Sequence, residues 1–352
     1  MRQAGLRCVT EMESIAVMGF AEIVTHLGAI RRARASVRDL LARHPQAVFV
    51  PIDAPGLHLG LAREAKRLGR RVVYYVCPQV WAWGYGRVRR LREDVDLTLC
   101  LFRFEEALLR SESAPAAWVG HPAGGLRPDA AATRAARARF RLEPGERMVA
   151  LLPGSRRGEV TRHLAPMLDA AGRLASGVGG GLRIIVSDAG SLEEARRGGE
   201  AAALWRATPL VESFRGDSET LLRAADLALV ASGTATLETA ALGVPLALVY
   251  RTGSLNYAIA RRLVSLKRIG LVNIVLEEDV VPECVQQGAT GSAIAAAAAP
   301  LLLSEEARSR QRAAFARLPE ILGGPGAADR AAEAILAFAA GAAAGAAPAA
   351  SR

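Results

Sequence analysis

The sequence predicts an α/β protein made of two doubly wound, parallel-sheet domains. Three observations carry that expectation. Short apolar runs alternate with helical patterns along most of the chain, the signature of βα units with right-handed crossovers. Two of these runs end in small or basic residues and then open a helix. They are MVALL leading into Pro153-Gly154-Ser155-Arg156-Arg157-Gly158, and LALV leading towards Ser232-Gly233-Thr234. The chain also has 352 residues, enough for two such domains.

The elements follow in order. Residues 1–10 hold no opening strand and no Gly-rich first loop. A doubly wound domain normally begins with both, so the first domain is expected to be incomplete, entered about one supersecondary unit late. Ser14 to Ile30 carries Ile15, Met18, Ile23, Leu27 and Ile30 on one broad helical stripe, and Arg31, Arg32, Arg34, Arg38 and Arg43 follow. An apolar stripe beside a basic one fits a membrane surface, or an amphipathic helix packed on a sheet. Ala47 to Ile52 reads as a strand ending at Asp53. An acid at the carboxyl end of a parallel strand stands where catalytic residues collect, and it can equally cap a helix from about Leu59 to Leu68.

Strands at 72–76, 97–101 and 117–120 come next. The first runs into a loop with Trp81 and Trp83, a wall suited to sugars, acyl chains or simply a core. Arg87, Arg89, Arg90 and Arg92 mark a basic helix. His121 is either a cleft residue or a hydrogen-bonded hinge histidine. The Gly-, Pro-, Arg- and Ala-rich stretch 123–146 reads as an interdomain connection. The predicted domains are therefore 1–122 and 147–330, with an Ala/Gly-rich tail at 331–352. In the second, strands are expected at 148–152, 183–187, 227–230 and 246–250, and a helix from Glu159 to about Gly172. Leu210 to Glu212 falls near a loop. Arg261, Arg262, Lys267 and Arg268 form a basic patch, and Val280 to Gln286 opens a closing set of helices.

Composition narrows the chemistry. Hydrophobic residues make up 51% of the chain and aromatic ones 5%, so Ala, Val and Leu build the core. The net charge of +10 favours an anionic partner, either a phosphorylated substrate or an anionic membrane surface. No basic platform interleaved with aromatics supports nucleic acid. Cys8, Cys77, Cys100 and Cys284 lack C-x-x-C spacing and read as core thiols of a reducing compartment. A strand, a Gly-bearing turn and a helix N-terminus together make a preformed anion site. Arg156 and Arg157 at its mouth suit a diphosphate, because guanidinium grips phosphate oxygens bidentately, although a solvated basic turn has the same residues. Glu238, one turn into the second helix, is placed to take both hydroxyls of a ribose. Ser232 or Thr234 can cap that helix.

Seven motifs then stand in one order: IDAPG at 52–56, VWAW at 80–83, GHP at 120–122, LLPGSRRGEV at 151–160, SGTATLE at 232–238, LVN at 271–273 and PECVQ at 282–286. Together they closely resemble the lipid-A-disaccharide synthase family, glycosyltransferases of the GT-B fold with two Rossmann-like domains facing a cleft. The resemblance implies an inverting transfer from UDP-2,3-diacylglucosamine to the 6-hydroxyl of 2,3-diacylglucosamine 1-phosphate, without metal, cofactor or covalent intermediate. It implies that Gly154, Ser155, Arg156, Arg157, Ser232, Gly233, Thr234 and Glu238 hold the UDP-sugar. By family position, Asn273, Glu283 and Gln286 line the same site, with His121 at the cleft. One general base is needed, and Asp53, across the cleft, is the choice. A cytoplasmic enzyme resting on the inner membrane is expected, of oligomeric state not legible in the sequence. Departures fall on the acceptor side: the family's GEASGD-type loop is not found. Gly56-Leu57-His58 stands for Asp-Phe-Asn, Gln79 for Ser and Gly84 for Arg. A non-catalytic UDP- or membrane-binding remnant, a MurG-like transferase and a UDP-sugar epimerase are the alternatives.

Overall fold

A computed structural model describes residues 20–82, 84–178, 181–208, 211–253 and 268–341, with Gly5 and Cys8. The chain forms two compact units, Met1–Gly120 with Ala327–Arg352, and His121–Gly326. The first unit is thus built from two separate stretches of sequence.

In the first unit, α1 (Phe20–Arg43), β1 (Val48–Phe49), α2 (Pro55–Arg67), β2 (Arg71–Tyr75), α3 (Arg87–Asp94), β3 (Leu97–Cys100), α4 (Arg103–Ser111) and β4 (Ala116–Trp118) alternate in sequence. The strands form one parallel sheet in the order β1-β2-β3-β4. One face packs Val72, Tyr74 and Cys100 against Leu59, Leu91 and Leu109 of the helices. The other packs Val73, Leu97 and Leu99 against Ala331, Ile335 and Phe338. Those last three belong to the final helix among the described residues, Ala327–Ala339, which returns to this unit. Arg71 donates to the carbonyls of Phe338 and Ala339, and Arg330 to that of Val119. The predicted tail therefore starts as a packed helix, through Ala339.

The second unit contains α5 (Ala130–Arg139), β5 (Arg147–Leu152), α6 (Arg157–Val178), β6 (Leu182–Ser187), α7 (Leu192–Ala195), α8 (Gly199–Ala207), β7 (Val211–Phe214), α9 (Ser218–Ala224), β8 (Leu227–Ala231), α10 (Thr234–Ala241), β9 (Leu246–Tyr250), α11 (Leu271–Leu276), β10 (Glu283–Val285), α12 (Gly291–Leu303), α13 (Glu305–Phe315) and α14 (Leu318–Ile321). The return helix Ala327–Ala339 is α15. All six strands are parallel, in the order β10-β9-β8-β5-β6-β7. The central strands are fully buried runs, as expected of a sheet covered on both faces.

Several expectations need correction. The stretch 123–146 is not a bare connection. Asp129 accepts from the amides of Ala131 and Ala132 and so caps α5, and Arg137 of that helix donates to the Ala224 carbonyl and Asp226 within the second unit. Val211 and Glu212 open the edge strand β7, Leu210 lying outside the described residues, and Val280–Gln286 contains the edge strand β10. The helix after Asp53 starts at Pro55, not Leu59, and its N-cap is Ala54 without any side-chain bond. Asp53 is not that cap. Likewise Gly233, not Ser232 or Thr234, is the N-cap of α10. Helix α6 begins at Arg157 and runs on to Val178. The Ser14–Gly19 half of the apolar stripe, Trp83, and Arg261, Arg262 and Lys267 lie outside the described residues.

Candidate functional site

The second sheet places the site by its topology. From β5 the chain builds outward through β6 to β7, then crosses back to the other side of β5 to form β8. Strand order reverses between β5 and β8, and in open parallel sheets ligands bind beyond the carboxyl ends of the strands at such a reversal. Leu152 pairs with Val230, so Pro153-Gly154-Ser155-Arg156 and Ala231-Ser232-Gly233 leave the sheet side by side. The two stretches singled out in the sequence thus flank one crevice.

The β5 loop is shaped around a carboxylate. Ser155 and Arg156 donate their amides to Glu159 Oε2 at 3.2 and 3.4 Å, and Arg156 Nη1 donates to Oε1 at 3.0 Å. Gly154 has φ 115°, and a Cβ there would lie 2.5 Å from Glu159 Oε2. Only glycine lets the carboxylate in. Glu159 sits in the first turn of α6, where the helix dipole favours an acid. The loop therefore holds an anion, and the anion is its own.

His163, one turn further along α6, ties the loops together. Its Nδ1 donates to the Pro153 carbonyl at 2.9 Å, and its Nε2 accepts from the Arg251 amide at 2.9 Å. This arrangement requires the neutral ring, and burial pushes the histidine below its ordinary range. Neither Glu159 nor His163 figured among the expected site residues. The signals were present: an acid at the third helical position, as in capping boxes, and a histidine on the apolar stripe of Val160, Leu164 and Met167.

Glu238 on α10 is half-buried, and its carboxylate makes no hydrogen bond or ion pair among the described residues. Burial, then Glu219, raises its pKa above the usual carboxylate value. Such a group gains by accepting hydroxyl donors. Asn273, Glu283 and Gln286 behave otherwise. Asn273 donates to the Val281 carbonyl and Glu283, and accepts from the Val280 and Val281 amides, which uses its whole capacity. Glu283 accepts from the Ile269 and Gly270 amides at the start of α11. Gln286 pairs with both backbone groups of Thr252. All three brace the loop after β9 and the start of α11.

His121 is 3% exposed and begins the second unit. Its Nδ1 accepts from the Ala123 amide, and its own amide donates to the Leu322 carbonyl. Burial brings its pKa down to about 4.

Asp53 belongs to the first unit and follows the Ile52–Tyr75 bridge. Asp53 and Ala54 have φ of 50° and 47°, left-handed conformations that side-chain-bearing residues rarely adopt. The backbone is held there. The Asp53 amide donates to the Tyr75 carbonyl, and the Tyr74 hydroxyl donates to the Asp53 carbonyl at 2.7 Å. The carboxylate is exposed and makes no bond among the described residues. Strain of this kind costs about 1–3 kcal/mol per residue and gathers at functional sites.

The family model of lipid-A-disaccharide synthetase matches residues 1–335. The chain belongs to that family. The lipid-A-disaccharide synthase of Geobacter metallireducens is 35% identical over 336 residues, 96% of this chain and 86% of that one. The synthase of Azotobacter vinelandii is 40% identical over 304 residues, 86% of this chain and 79% of that one. Membership in the lipid-A-disaccharide synthetase family makes the protein a glycosyltransferase of lipid A synthesis. Solved structures agree on a GT-B fold. The UDP-GlcNAc 2-epimerase of Neisseria meningitidis bound to UDP-GlcNAc has a TM-score of 0.59 at 13% identity, covering 91% of this chain and 82% of that one. A UDP-forming trehalose-phosphate synthase of Burkholderia vietnamiensis has a TM-score of 0.56 at 12% identity, covering 91% and 80%. At these identities the likeness shows the fold alone. Among the described residues no helix is long and apolar enough to cross a membrane.

Proposed function

We propose that this synthetase-family member transfers the diacylglucosaminyl group of UDP-2,3-diacylglucosamine to the 6-hydroxyl of 2,3-diacylglucosamine 1-phosphate. The transfer inverts the anomeric centre and releases UDP. The observation that carries this reading is the reversal of strand order at β5 and β8, with an anion-holding loop on one side and, on the other, Glu238, whose carboxylate has no partner among the described residues. The diphosphate lies against the Gly154–Ser155–Arg156 loop, with Arg157 and the Ser232-Gly233-Thr234 turn beside it. Glu238 takes the ribose hydroxyls. Asn273, Glu283 and Gln286 shape the site through the backbone they hold, and His121 acts as a brace.

Charge develops on the diphosphate as the glycosidic bond breaks, so Arg156 contributes more in the transition state than in the ground state. Asp53 removes the proton of the attacking hydroxyl. Its exposed carboxylate, without a bond among the described residues, suits that role, and its strained backbone fixes the direction of the side chain. An anionic membrane surface supplies the two acylated substrates. On α1, Arg31, Arg32 and Arg38 are exposed and make no ion pair among the described residues, whereas Arg34 and Arg43 pair with Glu64 and Asp39.

Two variants test the assignment together. Arg156→Ala is expected to lower kcat/KM by about 30- to 1,000-fold, the loss of roughly 2–4 kcal/mol of transition-state stabilisation. Asp53→Asn is expected to abolish transfer while calorimetry still shows UDP binding. Near-normal kcat/KM in Arg156→Ala removes the diphosphate assignment. Parallel loss of UDP binding and activity in Asp53→Asn removes the base. The wild-type product, identified by mass and by its anomeric coupling, settles the linkage.

A further inference from the structure

Away from the nucleotide loops, the first unit buries three metal-ligating side chains in one place. Cys77 lies just past β2, Cys100 ends β3, and Glu105 sits in the first turn of α4. Their ligand atoms are all within 4.8 Å of one another, and the residues are 4%, 0% and 2% exposed. Among the described residues this is the one such group. A lone core thiol needs no explanation, but two thiols and a carboxyl group converging in one buried volume are a ligand set that suits a thiophilic cation.

The carboxylate is already oriented. Trp81 Nε1 donates to Glu105 Oε1 at 3.0 Å, and the Leu101 and Phe102 amides donate to Oε2 at 3.2 Å. Oε2 is thereby used twice and Oε1 once, which leaves Oε1 one lone pair. Cys77 Sγ donates to the Pro78 carbonyl at 3.3 Å and Cys100 Sγ to the Thr98 carbonyl at 3.9 Å, and the adjacent Cys77 thiol and burial raise the Cys100 pKa. Burial pushes Glu105 up to about 7. The Cys100 thiol therefore stays protonated until a cation displaces the proton.

We propose that Cys77, Cys100 and Glu105 form a binding site for one thiophilic divalent cation of the Zn²⁺ or Cd²⁺ class, held by two thiolates and Glu105 Oε1. Bonds of about 2.3 Å to sulfur and 2.0–2.2 Å to oxygen set tetrahedral ligand atoms roughly 3.5–3.8 Å apart. Small side-chain rotations close that gap from the present separations, and water completes the tetrahedron. The step exchanges two thiol protons, and the Glu105 proton where present, for the metal, and no electron moves. The surplus negative charge is offset by the N-terminus of α4 and by the three N–H donors on Glu105. Occupancy ties the loop from Cys77 through Trp81 to β3 and α4.

The test is a Cd²⁺ titration of the reduced, chelator-stripped full chain. Expected are a thiolate-to-metal charge-transfer absorption that saturates at one equivalent, and competition by Zn²⁺. Release of about two protons makes the apparent affinity rise about 100-fold per pH unit. Cys77→Ala and Cys100→Ala lose the absorption, and Cys8→Ala and Cys284→Ala keep it. A measurement on the unmutated protein guards against misfolding of the buried variants. Alkylation in mild denaturant followed by mass spectrometry, with and without Cd²⁺, finds Cys77 and Cys100 protected only when Cd²⁺ is present, and Cys8 labelled in both samples. No saturable absorption at one equivalent, or protection that omits Cys77 and Cys100, overturns the site.

Discussion

Glu159 takes the amide and guanidinium donors that a diphosphate would use at the β5 loop. A ligand bringing two phosphates must therefore displace it or share those donors with it. A unit charge about 5 Å away costs roughly 1 kcal/mol even at the dielectric of water. Glu159→Gln keeps a side chain able to cap the helix and removes the charge. It is expected to tighten UDP binding by about 3- to 10-fold. Unchanged or weaker binding by calorimetry would show that Glu159 works only by orienting Arg156. At this scale the sequence was informative about residues that stand at a strand end before a helix, such as Arg156 and Glu238. It was silent on how they are used. Asn273, Glu283 and Gln286 were expected as lining, and their polar atoms are engaged within the protein, those of Gln286 with the backbone of Thr252. That pairing is tertiary and leaves no local pattern.

Among the elements, the pairing of the 3₁₀ turn Pro122–Gly125 with the segment after α14 has a measurable signature. His121 begins that turn with Nδ1 accepting from Ala123, which demands the neutral ring. Its folded pKa, about 4, lies below its ordinary value of 6.5. Between those values the unfolded chain takes up a proton that the folded chain refuses, so stability falls as pH drops through that window and levels off below it. The contribution is on the order of 3 kcal/mol, from the size of the shift. His121→Asn retains an acceptor for the Ala123 amide and should flatten this slope, seen in urea midpoints at several pH values. Equal slopes in both proteins would refute it. Central elements were legible because fully buried runs such as Leu227–Ala231 advertise themselves. The edge strands were not. β7 has a half-exposed pattern and β10 only three residues, so neither shows an apolar run.

For the whole molecule, the charge of +10 and the arginines of α1 that make no ion pair among the described residues set the expected relation to lipid. Each basic residue near an anionic surface contributes about 1 kcal/mol, screened by salt. Co-sedimentation with anionic vesicles should fall as salt rises, and should weaken in an Arg31→Ser, Arg32→Ser, Arg38→Ser triple variant. Binding indifferent to both would exclude this face. The two-unit organisation was legible from alternating strands and helices. The return of α15 was not, because an Ala-rich amphipathic stretch reads alike whether it packs on the nearest unit or a distant one. That return sets an order of events. Domains fold as units while the chain is being synthesised, usually from the N-terminus onward. Here the second unit is contiguous and can finish first, whereas the first waits for Ala331, Ile335 and Phe338 to cover Val73, Leu97 and Leu99. A stop after Gly326 should leave UDP binding intact while protease cuts within residues 20–120. A helix that follows the whole second unit completes the first domain, so damage to α15 is felt in residues 20–120.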